Sequence, residues 1–263
     1  VDACHQNGIA VILDVVYNHA FGSAPVTNMY WDAASGKPAG NSPYLNVDAK
    51  HPYNVGYDFN HESAATKYYT KRTLTYLLNE FHVDGFRFDL SKGMTQTNSG
   101  TDAGKMSAYD QSRIDILSDY NNTIQAESPG AYTILEHFAD NSEEQVLQAK
   151  GMMLWGNGNY NVNEAVMGFS SNDFGWGIDA QKRGWSNRHL VGYAVSHDEE
   201  RMAYKSKMFG NVVAGYSIKT SPVYVPRVAM AYGFVLATPG PKMIWQFDEL
   251  AYDYSINTCE DGV

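Results

Sequence analysis

Six short apolar runs recur along the chain, at residues 9–16, 83–89, 131–136, 151–155, 190–196 and 242–247, with segments of helical periodicity between them. The runs are nearly continuous in apolar residues rather than alternating, the pattern of strands buried on both faces. The helical segments are HESAATKYYTKRTLTYLLNEF (61–81), the region 106–126, NSEEQVLQAK (141–150) and SPVYVPRVAMAYGFVL (221–236). Strand and helix in alternation predict a parallel sheet with right-handed crossovers, either doubly wound or closed into a (β/α) barrel. With 263 residues, of which 44% are hydrophobic and 13% aromatic, the chain has ample material for a buried core.

Residues 20–60 break this rhythm, with Pro25, Pro38, Pro43 and Pro52 among many Gly, Asn, Asp and Tyr residues where a short connection is expected. Loops of that length are functional or form small inserted domains. The expected organisation is therefore a βα domain made of residues 1–19 and 61–263, interrupted by a loop-rich insert at 20–60. A formal charge of -10 excludes a nucleic-acid or anionic-membrane surface, which needs a basic patch. A neutral partner such as a sugar meets no electrostatic penalty. No apolar run is long enough to span a bilayer, and the N-terminus lacks a basic-then-apolar signal pattern. The opening VDACHQNGIAVILDVV has no initiator Met and starts within a helix that ends at Gly8, so a piece of a longer protein is expected. Cys4 and Cys259 are too few for a disulfide framework, and a bridge between them stays open.

Several strand candidates end in polar residues that a buried core does not select. VILDVVYNHA carries Asp14, Asn18 and His19, and GFRFDLSKG carries Arg87, Asp89 and Lys92. YTILEHF carries Glu136 and His137, and VGYAVSHDEER carries His197, Asp198, Glu199 and Arg201. In a barrel the C-terminal strand ends converge on the face that holds active sites. Three carboxylates with an arginine and histidines at one mouth form a functional constellation. A doubly wound phosphate-binding enzyme would need a glycine-rich loop between strand and helix, and the sequence has none.

These four segments, in this order, resemble the signature regions of the α-amylase family of glycoside hydrolases, which run approximately DVVxNH, GFRxDxxKH, a strand ending in Glu, and NHD. The tail GPKMIWQFDELAYDYSIN and the phrase SHDEERM resemble bacterial starch-degrading members of Bacteroidetes type. The resemblance implies an α/β fold, an incomplete (β/α)8 TIM barrel with its third to eighth strands, and a small inserted domain B after the third strand. It implies a retaining hydrolase with Asp89 as nucleophile, Glu136 as general acid/base and Asp198 as the third carboxylate, which stabilises the transition state. It matches His19 and His197 to sugar-binding histidines, and Asp14 to a residue that supports the site from behind. Arg87, two residues before Asp89 on the same face of its strand, is expected to keep the nucleophile ionised and oriented. Glu136, at the end of an apolar run, is expected to be desolvated, as an acid catalyst needs. Tyr17 and Lys92 are further substrate-binding candidates, and Tyr17, Trp155, Tyr160 and Trp245 are aromatics near strand ends with either a sugar-stacking or a core role.

The resemblance also implies calcium, with Asn18 and Asp58 as ligands, in keeping with a hard cation's preference for oxygen. Position 93 is Gly where the family has His, and 196 is Ser where Asn is commoner; Asp248 and Ala251 stand where relatives show glycines. The implied activity is endo-acting hydrolysis of α-1,4-glucosidic bonds, with starch and maltooligosaccharides as partners, in a monomer at an extracellular, periplasmic or cell-surface location. A cyclomaltodextrinase, neopullulanase or transglycosylase would use the same carboxylates. A non-catalytic glucan-binding homologue would lack one of them. The resemblance supplies only six strands, so the chain alone is expected to be unstable or inactive.

Overall fold

In the computed structural model, which describes every residue except 54, 170–172 and 259–263, the chain divides into two compact units, Val1–Leu154 and Trp155–Val263. The first unit is built on parallel strands β1 (Ile12–Val15), β2 (Gly85–Phe88) and β3 (Tyr132–Leu135), joined by β4 (Met153–Asn157), whose first two residues belong to this unit. β1 pairs with β2 so that Asp14 lies opposite Arg87, and β2 pairs with β3 so that Arg87 lies opposite Ile134 and Phe88 opposite Leu135. All four residues of β2, GFRF, are buried. Gly85 is required there, because a Cβ at this position would stand 2.3 Å from the Tyr132 carbonyl oxygen of the neighbouring strand.

Helices α1 (Ala64–Phe81), α2 (Gln111–Glu127) and α3 (Asn141–Ala149) make the crossovers. Each begins at a residue whose side chain accepts hydrogen bonds from first-turn amides: Ser63, Asp110 and Asp140. α1 buries Thr66, Thr70, Leu74 and Leu78, a four-residue spacing that makes one stripe, and ends where His82 turns left-handed. These elements match the expected strands and helices within a few residues.

Residues 20–60 contain only short pieces: His19–Ala20 pairs with Tyr57–Asp58, and Trp31–Asp32 with Lys37–Pro38. Their apolar cluster is small, Ala20, Val26, Leu45 and Phe59, and packs against Tyr69 of α1.

In the second unit, β5 (Leu190–Tyr193) is followed by α5 (Met202–Phe209) and α6 (Ser221–Ala237), and α4 (Asn159–Val166) precedes it. α4 and α5 carry helical periodicity that the sequence reading passed over. The core here is formed by residues such as Val162, Ile178, Val195, Met202, Val228 and Val235. The expected strand at 242–247 does not form. Only Lys242 bridges Gly192, through hydrogen bonds between Gly192 and its neighbours Pro241 and Met243, and the chain then turns left-handed at Phe247. The central sheet is thus parallel with flanking helices, an α/β fold, and no closed barrel forms among the described residues. No helix among them is long and apolar enough to cross a membrane. The Cys4–Cys259 question falls on a residue outside those described.

Candidate active site

Strand parity explains the first unit's charged face. Successive side chains of a strand point to opposite sides, so Arg87 and Asp89 share a face, and the register carries that face to Asp14 on β1 and to Ile134 and Glu136 on β3. The amide of Glu136 donates to the Phe88 carbonyl and that of Asp89 to the Val15 carbonyl, so the ladder continues to the two carboxylates.

Arg87 sits at the centre with its side chain 6% exposed. Its Nη1 donates to Asp14 Oδ1 at 2.8 Å and to Asp89 Oδ1 at 3.0 Å, while its Nη2 pairs with Glu136 Oε2 at 2.8 Å. One guanidinium thus binds three carboxylates from three adjacent strands. Burial alone would weaken its charge, but Glu136, Asp14 and Asp89 outweigh that and hold it firmly protonated. Asp14 touches the arginine directly and is largely exposed. Glu136 is buried, as expected, and its carboxylate is also hydrogen-bonded: besides Arg87 it accepts the Leu90 amide at 2.9 Å, presented by a left-handed turn at Leu90.

Behind Glu136, the Ser91 hydroxyl donates to its carbonyl at 2.9 Å and contacts His137 Nδ1 at 2.9 Å. His137 Nε2 meets Glu143 Oε1 at 2.8 Å, and Arg113 grips both Glu143 oxygens at 2.6 Å. Burial would raise the Glu143 carboxyl, but its hydrogen bonds to His137 and Arg113 hold it below the usual range. This network fixes the 136–138 segment. Sequence reasoning missed Arg113 and Glu143, whose only local signal is Glu143's place in the first turn of α3.

His19 is buried, with its ring 5.4 Å from that of Phe21, and burial pushes its imidazole below the usual value against the pull of Asp89. Lys92 is half-buried, 5.2 Å from the Tyr53 ring centre and 3.4 Å from the Phe138 carbonyl. Tyr17 belongs to the core rather than to a sugar-binding surface. Its hydroxyl is taken by Thr73 at 2.6 Å, and its ring packs against Phe88 and Tyr69.

Beside this face lies a buried polar cluster. Asn18 Oδ1 and Asp58 Oδ1 are both buried with no hydrogen-bond partner, which is costly unless an unseen group satisfies them. Asp58 Oδ2 is held by Asn46 Nδ2 at 2.8 Å and the Lys50 amide at 3.1 Å. Such oxygens suit a hard cation. Among the described residues no three His, Cys, Asp or Glu side chains converge as a metal site, so the Asn18 amide has to be counted as a ligand.

In the second unit, the His197 ring lies 6.0 Å from Trp155 and 6.0 Å from Trp245. Its Nε2 is 3.4 Å from Asp198 Oδ1, and Asp198 is largely exposed. The Asp198 amide donates to the Ser196 hydroxyl at 3.2 Å, and that hydroxyl donates to Glu199. Trp155 is buried, and Tyr160 is exposed. Asp248 is fully buried; burial raises its carboxyl, which accepts from the Tyr232 hydroxyl at 2.6 Å. That gives Asp248 a structural role, and Ala251 takes a left-handed φ of 54°, a conformation that favours glycine.

No family model matches the chain. A 1,4-alpha-glucan branching enzyme GlgB of Nitratidesulfovibrio vulgaris is 32% identical over 145 residues, which is 52% of this chain and 21% of the enzyme. The chain thus spans about a fifth of the length of that curated relative. Among solved structures, a pullulanase from Anoxybacillus sp. LM18-11 complexed with maltotriose superposes with a TM-score of 0.66 at 21% identity, covering 95% of this chain and 35% of that one. An Anoxybacillus α-amylase superposes with a TM-score of 0.65 at 15% identity, covering 96% of this chain and 52% of that one.

Proposed function

We propose, for a chain whose relatives and structural neighbours are α-amylase-family glycoside hydrolases over part of its length, that the charged face of the first unit cleaves α-1,4-glucosidic bonds of starch-type glucans by double displacement. The observation that carries this reading is the single buried guanidinium of Arg87 shared by Asp14, Asp89 and Glu136. Retention needs one carboxylate to attack the anomeric carbon and a second, roughly 5 to 5.5 Å away, to protonate the leaving oxygen. Asp89, ion-paired and partly exposed, is the nucleophile. Glu136 is the acid in the first step and takes a proton from water in the second. Arg87 is the positioning cation that orients Asp89 through the hydrogen bond from Nη1 to Oδ1. Asp198 takes the third-carboxylate role and His19 and His197 the sugar-binding roles on the strength of the motif match. Calcium, where bound, would cross-link the insert to the strand ends through the oxygens of Asn18 and Asp58.

The nature of the relatives keeps glucan transfer as a second reading, since the branching enzyme is a sequence relative at 32% identity. Reducing-sugar release from soluble starch, measured beside the Asp89→Asn variant, separates the possibilities. Release that is lost in the variant supports hydrolysis and the nucleophile. A change in iodine staining without reducing-sugar release, also lost in the variant, favours transfer. Turnover unaffected by Asp89→Asn rejects the assignment. Side-by-side rates on pullulan and cyclodextrin define the bond and chain preference.

A further inference from the structure

The Asn18–Asp58 cluster contains a third buried side chain, His51 from the insert. Its relative exposure is 4%, and neither ring nitrogen has a hydrogen-bond partner. A buried imidazole without partners is as costly as the two orphaned oxygens beside it. The three are directed to one place. A Cβ built on Gly93 would stand 2.0 Å from Asn18 Oδ1 and 2.8 Å from His51 Nε2, so both atoms lie over the same bare backbone. His51 Nε2 is 3.5 Å from Asp58 Oδ1. That is close to the edge between two ligands on one ion, since bonds of about 2.0–2.1 Å at a tetrahedral angle put donors roughly 3.3–3.4 Å apart.

We propose that His51, with Asn18 and Asp58, makes this a mixed nitrogen–oxygen site that prefers a zinc-class divalent ion to calcium; this deepens the cation reading above and rests on it. Calcium fills its shell with six to eight oxygens, whereas imidazole is a donor for zinc and its transition-metal neighbours. The surroundings fix the donors for such an ion. Asn46 and the Lys50 amide hold the far oxygen of Asp58 and so aim Oδ1 inward. Asn18 Nδ2 rests on His19 Nδ1 at 3.3 Å, which turns Oδ1 toward the site. Glycine at 93 makes the arrangement possible, because any side chain there would take the space the imidazole and amide now share. His51 also lines a cavity of about 120 Å³ whose walls combine Thr95, Ser99 and Asp110 with the apolar Met106, Ala108 and Tyr109.

The test is calorimetric titration of the metal-stripped protein with Zn²⁺ and separately with Ca²⁺, together with zinc-edge X-ray absorption of the loaded protein. The expected result is one Zn²⁺ per chain, bound more tightly than Ca²⁺, with a first shell of nitrogen and oxygen showing imidazole scattering. His51→Gln should weaken Zn²⁺ by about tenfold or more and leave Ca²⁺ binding unchanged. Asp58→Asn should weaken both. Ca²⁺ bound as tightly as Zn²⁺, or Zn²⁺ binding insensitive to His51→Gln, overturns the proposal while leaving the cation reading intact. Failure to bind either ion overturns both. Should the variants not fold, an absorption spectrum of the unaltered protein without imidazole scattering overturns the proposal by itself.

Discussion

At the residue scale the site depends on one cation serving three anions. Removing the Arg87 side chain leaves Asp14, Asp89 and Glu136 facing one another with no compensating charge. Breaking a buried pair from one side costs about 3–5 kcal/mol. Arg87→Ala is therefore expected to lower unfolding free energy by roughly 3 kcal/mol, since two of the partners are partly or largely exposed, and to abolish starch turnover. Urea denaturation and reducing-sugar release check the two effects. His61 offers a second prediction. It is fully buried between the Tyr17 carbonyl at 2.8 Å and the Tyr120 hydroxyl at 2.7 Å, and burial pushes its imidazole down to about 4. The unfolded chain binds this proton near the ordinary value of about 6.5, so below that pH the unfolded state holds more protons and stability falls. The loss should run to about 3 kcal/mol between pH 6.5 and pH 4, at 1.36 kcal/mol for each pH unit, and level off below. His137, also lowered by burial, adds to the slope in the same direction. Denaturation series at several pH values, with His61→Gln as control, test it: an unchanged slope in the variant would rule His61 out as a source.

At the element scale, strand spacing sets the spacing of the two proposed catalytic carboxylates. Gly85 lets β2 approach β3 where a Cβ would meet the Tyr132 carbonyl at 2.3 Å, and neither backbone can yield without shifting the strands that carry Asp89 and Glu136. Gly85→Ala is expected to cost roughly 2 kcal/mol of stability by overpacking and to lower kcat more than it raises KM. Full kinetics on soluble starch with a parallel melting curve distinguish this from simple unfolding. The same strands show what the sequence made legible. Apolar runs such as GFRF identified β1 to β3 because strands of a parallel sheet favour near-continuous apolar residues, although only β2 is buried at every position and β1 and β3 each expose one residue. Parity alone put Arg87 and Asp89 on one face, and the register extended that face to Asp14 and Glu136. The segment 242–247 carries the same trace yet makes one bridge, because a strand also needs a ladder to join, and its chain turns away at Phe247. Tyr17 shows the converse: an aromatic near a strand end reads alike whether its hydroxyl meets sugar or, as here, Thr73. His51 left no local signal at all. Its place beside Asn18 and Asp58 depends on contacts from a proline- and glycine-rich insert to a 3₁₀ turn at 91–93, which no short-range pattern encodes.

At the scale of the whole molecule, the sheet of the first unit begins with β1 as an edge strand among the described residues. Among the described residues β1 pairs only with β2 in its sheet, and the apolar residues Ile9 and Val16, just before and after it, are 57% and 50% exposed. A free edge with apolar flanks is a template for pairing with another chain. The formal charge of -10 opposes this at low ionic strength, and salt screens that repulsion. The isolated 263-residue chain is therefore expected to self-associate with rising concentration, more strongly in high salt than in low. Sedimentation velocity from micromolar to tens of micromolar should show the weight-average coefficient climbing. Ile9→Lys with Val16→Lys should suppress the climb, because charge on an edge discourages pairing and both positions are exposed enough for the fold to tolerate it. A constant sedimentation coefficient in both salts would mean that the edge is already protected within the chain. In that case the same 263 residues should melt in one cooperative transition, contrary to the instability the sequence led one to expect.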